Sequence, residues 1–126
     1  MRVFLVRHGR QSDTRCNVDV DLAEEGRQQA ALAGQRMRPW GVRRIVSSDL
    51  IRARQTAEII NEHLGVPLSI VPELRELDFG HMEGLTDAEI AGRFSDFKLR
   101  QRPMDLDLRY PGGENVADVL ERVVPA

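Results

Sequence analysis

At 126 residues and 41% hydrophobic content, the chain fits a single modest core of an ordinary globular fold. Its 18 basic and 20 acidic side chains nearly cancel to a formal net charge of -2, so no global field favours nucleic acid or an anionic membrane, and any anion site must be local. All Lys and Arg positions but Lys98 are arginine, a bias that suits phosphate recognition but fits biased codon composition better, so the total carries no functional weight. Cys16 is the only cysteine, so no intramolecular disulfide can form, and nothing around it has metal-ligand spacing. A reducing, cytoplasmic setting is expected, because the apolar run in MRVFLVRHGR is too short for a signal-peptide core or a membrane span.

Arg2 to Val6 is rich in β-branched and aromatic residues and leads into Arg7-His8-Gly9, which predicts a buried strand running into a glycine-containing turn. After a polar loop from Gln11 to Asp21, Leu22, Gly26, Ala30, Ala33 and Met37 recur at helical spacing, and Pro39 ends the run. Arg44 to Ser47 predicts a second short strand. Leu50, Ala53, Ala57, Ile60 and Leu64 then mark a second amphipathic helix, closed by Gly65 and Pro67, and Leu68 to Val71 predicts a third strand. Thr86-Asp87-Ala88-Glu89 has the pattern of a capping box that opens a third helix, and a polar stretch with Pro103 follows. Pro111-Gly112-Gly113 precedes a last helix in which Asn115 is the expected N-cap and Val116, Val119, Leu120, Val123 and Val124 form one apolar stripe.

Strands alternating with helices imply βαβ units, hence an α/β fold with a mostly parallel sheet, and ligands in such sheets bind beyond the carboxyl ends of the strands. One incomplete domain over 1–126 is expected, since the apolar face of the last helix and the faces of a three-strand sheet want further partners. Self-association through the exposed sheet edge follows from the same deficit.

Three segments at the carboxyl ends of the predicted strands carry chemistry. Arg7-His8-Gly9 places a guanidinium, whose planar fork matches phosphate oxygens, beside an imidazole able to attack phosphorus, although a surface arginine and a satisfied histidine fit three residues equally well. In Ser47-Ser48-Asp49-Leu50-Ile51-Arg52-Ala53-Arg54, Arg52 falls at a helix N-terminus, where unpaired N–H groups and the dipole favour an anion. The alternative is that Arg52 and Arg54 decorate a solvated face with Asp49 and Glu58 as ion-pair partners, which is preferred for Arg54. Leu74-Arg75-Glu76-Leu77-Asp78-Phe79-Gly80-His81-Met82-Glu83-Gly84 offers three carboxylates and a second histidine; a carboxyl group near a phosphate ester can protonate the leaving oxygen, and solvated loop carboxylates are the bland alternative.

Taken in order, LVRHG, SSDLIRARQTAE, LRELDFGHMEG and YPGGEN resemble the signatures of the histidine phosphatase superfamily, the phosphoglycerate-mutase-like proteins, over essentially the whole chain. The resemblance implies a three-layer phosphoglycerate-mutase-like fold whose C-terminal part is missing here. It further implies His8 as a phosphohistidine nucleophile, Arg7 and Arg52 as clamps on the phosphoryl oxygens, and Glu76, ahead of Glu83, as the general acid and then the base that activates water. Metals and other cofactors are not implied, because arginines and histidines supply the positive charge in this family.

The match has departures. Family members usually carry Glu and Thr after RHG, where this chain has Arg10 and Gln11; Thr14 occupies the position of a small polar phosphate contact. Ala23 stands where a helix-capping Thr is common. A second catalytic histidine, expected in a later V-x-H-G-like segment, lies beyond the helix that starts at Asn115. His63, a helix C-terminal residue, and His81, a loop residue by the pocket rim, do not match it.

The leading expectation is a phosphatase that hydrolyses a small phosphate monoester through phospho-His8, since the connection from Gly84 to Gly112 is short and mutases of this superfamily carry longer shielding insertions there. Mutase-type phosphoryl transfer is the nearer alternative. A truncated, catalytically impaired member that binds phosphate is the more distant one, and a sequence incomplete relative to its gene is the bland one. A small phosphorylated substrate is the expected partner, with neither nucleic acid nor membrane.

Overall fold

The computed structural model describes residues 1–101 and 107–126. Among the described residues, five helices and two strands follow one another as α1 (Glu24–Met37), β1 (Ile45–Ser47), α2 (Ile51–Leu64), β2 (Leu68–Ile70), α3 (Asp87–Arg93), α4 (Ser95–Arg100) and α5 (Val116–Val123), with short 3-10 turns at Arg38–Trp40, Pro72–Leu74 and Gly80–Met82. The residues cluster into two compact units, one of 1–13 with 19–75 and the other of 14–18 with 76–126.

In the first unit, β1 and β2 pair in parallel with Ile45 opposite Leu68 and Ser47 opposite Ile70, joined by α2 as the crossover. The pairing runs on past β2, where the Val71 N–H donates to the Ser47 carbonyl at 2.8 Å. The core lies between α1 and α2: Ala30 and Met37 from one and Ile60 from the other are buried together, with Ala33, Ile59, Leu64, Val42 and Ile45 packed against them. Ala30, Ala33, Met37, Ile60 and Leu64 are among the residues whose 3.6 periodicity marked the two helices.

Local chemistry sets the helix ends. Ala23 gives α1 no side-chain cap, and Glu24 and Glu25 in its first turn offset this through the dipole. The Arg38–Trp40 turn contains Pro39, and Gly41 takes the left-handed conformation (φ 67°) that stops the run. At the start of α2, Leu50 offers no cap either, and the Ile51 N–H instead donates to Asp19 Oδ1 at 2.8 Å. Gly65 closes α2 in the left-handed region, and Asn61 bonds to both the N–H and the carbonyl of Val66.

In the second unit Met82, Ile90 and Phe97 form a small buried cluster flanked by Cys16, Phe79, Phe94 and Tyr110, with Tyr110 edge-on to Phe79. Thr86 and Glu89 form the expected capping box for α3, and Asn115 and Asp118 form a second one for α5. Burial, helped by the nearby Glu83 and Asp87 carboxylates, holds the Cys16 thiol above its ordinary range and keeps it protonated.

Two expectations differ from the structure. Arg2 to Val6 forms no strand, and Val3, Leu5 and Val6 are 71%, 96% and 48% exposed. Among the described residues only β1 and β2 pair as strands, and an apolar run becomes a strand only when a neighbour takes up its N–H and carbonyl groups. The helix α4 was not anticipated: it is short and uncapped, and is held by burial of Phe97, so it has neither a start signal nor a full amphipathic period. Pro103 lies outside the described residues. No helix among the described residues is long and apolar enough to cross a membrane.

Candidate active site

The site is built from the turn that follows Val6. Gly9 is buried against α1 so closely that a Cβ on it would stand 2.4 Å from the Gly26 carbonyl oxygen, which is why glycine occupies both positions. The turn is fastened to both helices. The Gly9 N–H donates to Thr56 Oγ1 of α2 at 3.0 Å, and the Arg10 N–H donates to Gln29 Oε1 of α1 at 2.9 Å.

His8, half-buried, has Nδ1 2.8 Å from the Gly9 carbonyl oxygen. A carbonyl only accepts, so Nδ1 carries the proton and donates. The Nε2 lone pair of the neutral ring is therefore the one available for chemistry. A concavity of about 220 Å³ runs between this segment and α1, lined by Val6, His8, Gly9, Ala30 and Ala33 among others.

Arg52 is the second residue of α2 and only 3% exposed, so it does not decorate a solvated face. A guanidinium is buried only where its donors are satisfied, and here it sits at the positive end of a helix, the place suited to an anion. Its carbonyl accepts from the Thr56 hydroxyl at 2.7 Å, which ties it to the His8 turn through one side chain. Arg54 does lie on the solvated face, with Nε 3.5 Å from Glu58 Oε1. Asp49, expected as a partner for that face, instead accepts from Nε and Nη2 of Arg75, one to each carboxylate oxygen. The Arg75 hydrogen bond holds the Asp49 carboxyl below its ordinary range and ties together the segments that leave β1 and β2.

The first unit thus brings Arg7, His8 and Arg52 onto one turn and the helix end that anchors it. Thr14 and Glu76 belong to the second unit, and both are exposed. Glu76 lies on a segment held by Arg122, whose Nη2 donates to the Glu76 backbone carbonyl at 3.2 Å while its guanidinium also pairs with Glu114. Glu114 in turn accepts from the Asp78 N–H at 2.9 Å. Glu83 Oε1 accepts from Asn17 Nδ2 at 2.6 Å and from the Phe79 N–H at 3.2 Å, so its carboxylate serves to hold the loop. Asn17 adopts the left-handed conformation (φ 46°) that asparagine tolerates better than most residues.

Neither of the other histidines lies in this turn. His63 Nδ1 is 3.1 Å from Arg38 Nη2 at the end of α2, and His81, in the Gly80–Met82 turn, lays its ring so near Gly112 that a Cβ there would stand 2.5 Å from Nε2. Among the described residues no cluster of three metal-ligating side chains occurs. Thr56 and Gln29 were not picked out from the sequence as functional; the one available signal was that Thr56 stands a helical turn after Arg52 within SSDLIRARQTAE.

Residues 3–126 match the histidine phosphatase superfamily (branch 1). The chain is 36% identical to a protein of Citrobacter koseri named probable phosphoglycerate mutase GpmB, the match covering 98% of this chain and 60% of that protein. Among solved structures it is similar to a mycobacterial glucosyl-3-phosphoglycerate phosphatase, with a TM-score of 0.86 and 35% identity over 94% of this chain and 57% of that one. It is also similar to Bacillus stearothermophilus YhfR, with a TM-score of 0.80 and 30% identity over 94% and 61%. The chain therefore spans about three-fifths of the length of the relatives it matches. The strand-helix-strand unit, the helix-anchored RHG turn and the family match agree: this chain belongs to the histidine phosphatase superfamily.

Proposed function

We propose that this chain carries the nucleophilic part of a phosphatase acting on small phosphate monoesters. The observation that carries the reading is the His8 Nδ1–H bond to the Gly9 carbonyl, which leaves Nε2 as the nucleophilic nitrogen. In the first step Nε2 attacks phosphorus, the N–P bond forms, and the P–O bond to the alcohol breaks as Glu76 delivers its proton to the leaving oxygen. Arg7 and Arg52 hold the equatorial phosphoryl oxygens, with a hydroxyl contact from Thr14, and stabilise the charge that builds there; preorganised donors of this kind contribute roughly 3–4 kcal/mol each. In the second step the Glu76 carboxylate takes a proton from water, the hydroxide oxygen attacks phospho-His8, and the N–P bond breaks to return free histidine and inorganic phosphate.

Glu76 is preferred to Glu83 because the latter's carboxylate is committed to Asn17 and Phe79. The mycobacterial neighbour, named a phosphatase and also solved with inorganic phosphate, supports hydrolysis. The name of the Citrobacter relative favours a second reading, in which phospho-His8 passes its phosphoryl group to a hydroxyl of a second substrate in place of water. The short segment between Gly84 and Gly112 favours water, because it provides little to shield phosphohistidine.

The test is turnover of p-nitrophenyl phosphate and of 3-phosphoglycerate by the wild type and by His8→Ala, with mass spectrometry of the protein quenched at neutral pH, since N-phosphohistidine is acid-labile. Hydrolysis of either ester that disappears in His8→Ala, with phosphate mapped to His8, supports the phosphatase. Turnover that survives in His8→Ala sinks it. Isomerisation of phosphoglycerate without phosphate release assigns the mutase, and phosphate binding without turnover assigns a binding member of the family.

A further inference from the structure

Thr56 takes no part in the steps above, yet it is only 5% exposed and its hydroxyl both donates and accepts. It donates to the Arg52 carbonyl one turn earlier, a bond that helical threonines commonly make. It also accepts from the Gly9 N–H, 47 residues away in sequence. On the other side of the same turn, Gln29 of α1 accepts from the Arg10 N–H. These two N–H groups belong to the two peptide planes that flank Gly9. The second plane contains the Gly9 carbonyl, which is the acceptor for His8 Nδ1.

Glycine is the residue whose flanking planes rotate most freely. Without outside anchors the Gly9 carbonyl swings off Nδ1, and the two neutral tautomers of His8 then compete. We propose that Thr56 and Gln29 form a two-point clamp on Gly9, one point from each helix, that holds His8 in the Nδ1–H tautomer with Nε2 exposed. They are positioning residues for the nucleophile and touch no substrate. The kinetic consequence rests on the phosphohistidine reading above; the tautomer consequence does not.

The experiment compares the wild type, Thr56→Val, Thr56→Ser and Gln29→Ala by two readouts. One is the set of ¹⁵N and ¹H correlations of the His8 ring, assigned by their loss in His8→Ala. The other is the separate kcat and KM for p-nitrophenyl phosphate. Thr56→Val and Gln29→Ala are expected to show mixed His8 tautomers and a kcat lower by on the order of 10- to 100-fold, as for other small misplacements of a reacting group, with KM changed little. Thr56→Ser keeps the hydroxyl and is expected to match the wild type in both. Gln29 is exposed, so its variant folds even where Thr56→Val does not. A wild-type His8 spectrum in Gln29→Ala, or a Thr56→Ser protein as impaired as Thr56→Val, overturns the clamp. Mixed tautomers in the variants of a protein that hydrolyses nothing support the clamp and reject the phosphatase reading.

Discussion

Gly9 and Gly26 meet backbone to backbone: a Cβ on the first would stand 2.4 Å from the Gly26 carbonyl oxygen, and one on the second 2.1 Å from the Arg10 carbonyl oxygen. Two opposed effects therefore act on Gly26→Ala. Helix propensity favours alanine by about 1 kcal/mol, while forcing a methyl group onto backbone costs roughly 1–3 kcal/mol. The obstructing carbonyl also accepts the Ala23 N–H at 2.8 Å and has nowhere to turn. The clash wins, and Gly26→Ala is expected to lose up to about 2 kcal/mol in urea unfolding. Gly92 in α3 faces open space, so the same change there is expected to gain up to about 1 kcal/mol. Equal effects at the two positions would refute the account.

Two helix starts make a matched pair. The Asn115 side chain accepts from the Asp118 N–H at 2.8 Å at the head of α5, whereas Ala23 offers nothing at the head of α1. Asn115→Ala is expected to lose, and Ala23→Ser to gain, about 1 kcal/mol, measured as opposite shifts of the unfolding midpoint.

The Glu114 carboxylate is held below the ordinary range by its hydrogen bond from Arg122, with a further bond from the Asp78 N–H. Because the folded state holds this carboxyl deprotonated to lower pH than the unfolded chain does, the unfolded chain takes up the proton first as the solution is acidified. The contribution to stability is complete above the ordinary carboxylate range and is lost as pH falls through the depressed value. Glu114→Gln removes the pair and is expected to flatten that part of the acid limb in a plot of thermal midpoint against pH. An unchanged acid limb would contradict the assignment.

Leu5 at 96%, Val124 at 76%, Val3 at 71% and Leu120 at 50% exposure present apolar surface to solvent. Concentration-dependent self-association is expected in light scattering, reduced in the Leu5→Lys and Leu120→Glu variants. A monodisperse monomer at high concentration would count against it.

The elements legible in the sequence are those whose information is local. The 3.6 periodicity of Ala30, Met37 and Ile60 marked α1 and α2, and the Thr86 and Asn115 boxes marked the starts of α3 and α5, because each signal needs only residues a turn or two apart. RHG alone is too short a motif to single out His8 and Arg7; they and Arg52 became legible as candidates through the ordered resemblance of LVRHG, SSDLIRARQTAE and LRELDFGHMEG to the family's signatures. Arg2 to Val6 shows the limit, since a strand is a pairing and its partner's whereabouts are not written in its own residues.

What only the tertiary structure decided is which side chains hold the candidates in place. Arg52 and Arg54 stand two residues apart with the same chemistry, yet one is buried at the helix end and the other ion-paired in solvent, because successive helical residues face different ways and only packing says which way is in. Asp49 binds Arg75, 26 residues away, and not its neighbour on the helix. The orientation of the His8 ring depends on Gly9, and Gly9 on Thr56 and Gln29, contacts that span 47 and close to 20 residues of chain. Sequence determined which residues stand as candidates for phosphate chemistry; the through-space bonds that hold the Gly9 carbonyl against His8 exist only once α1 and α2 have packed around that segment.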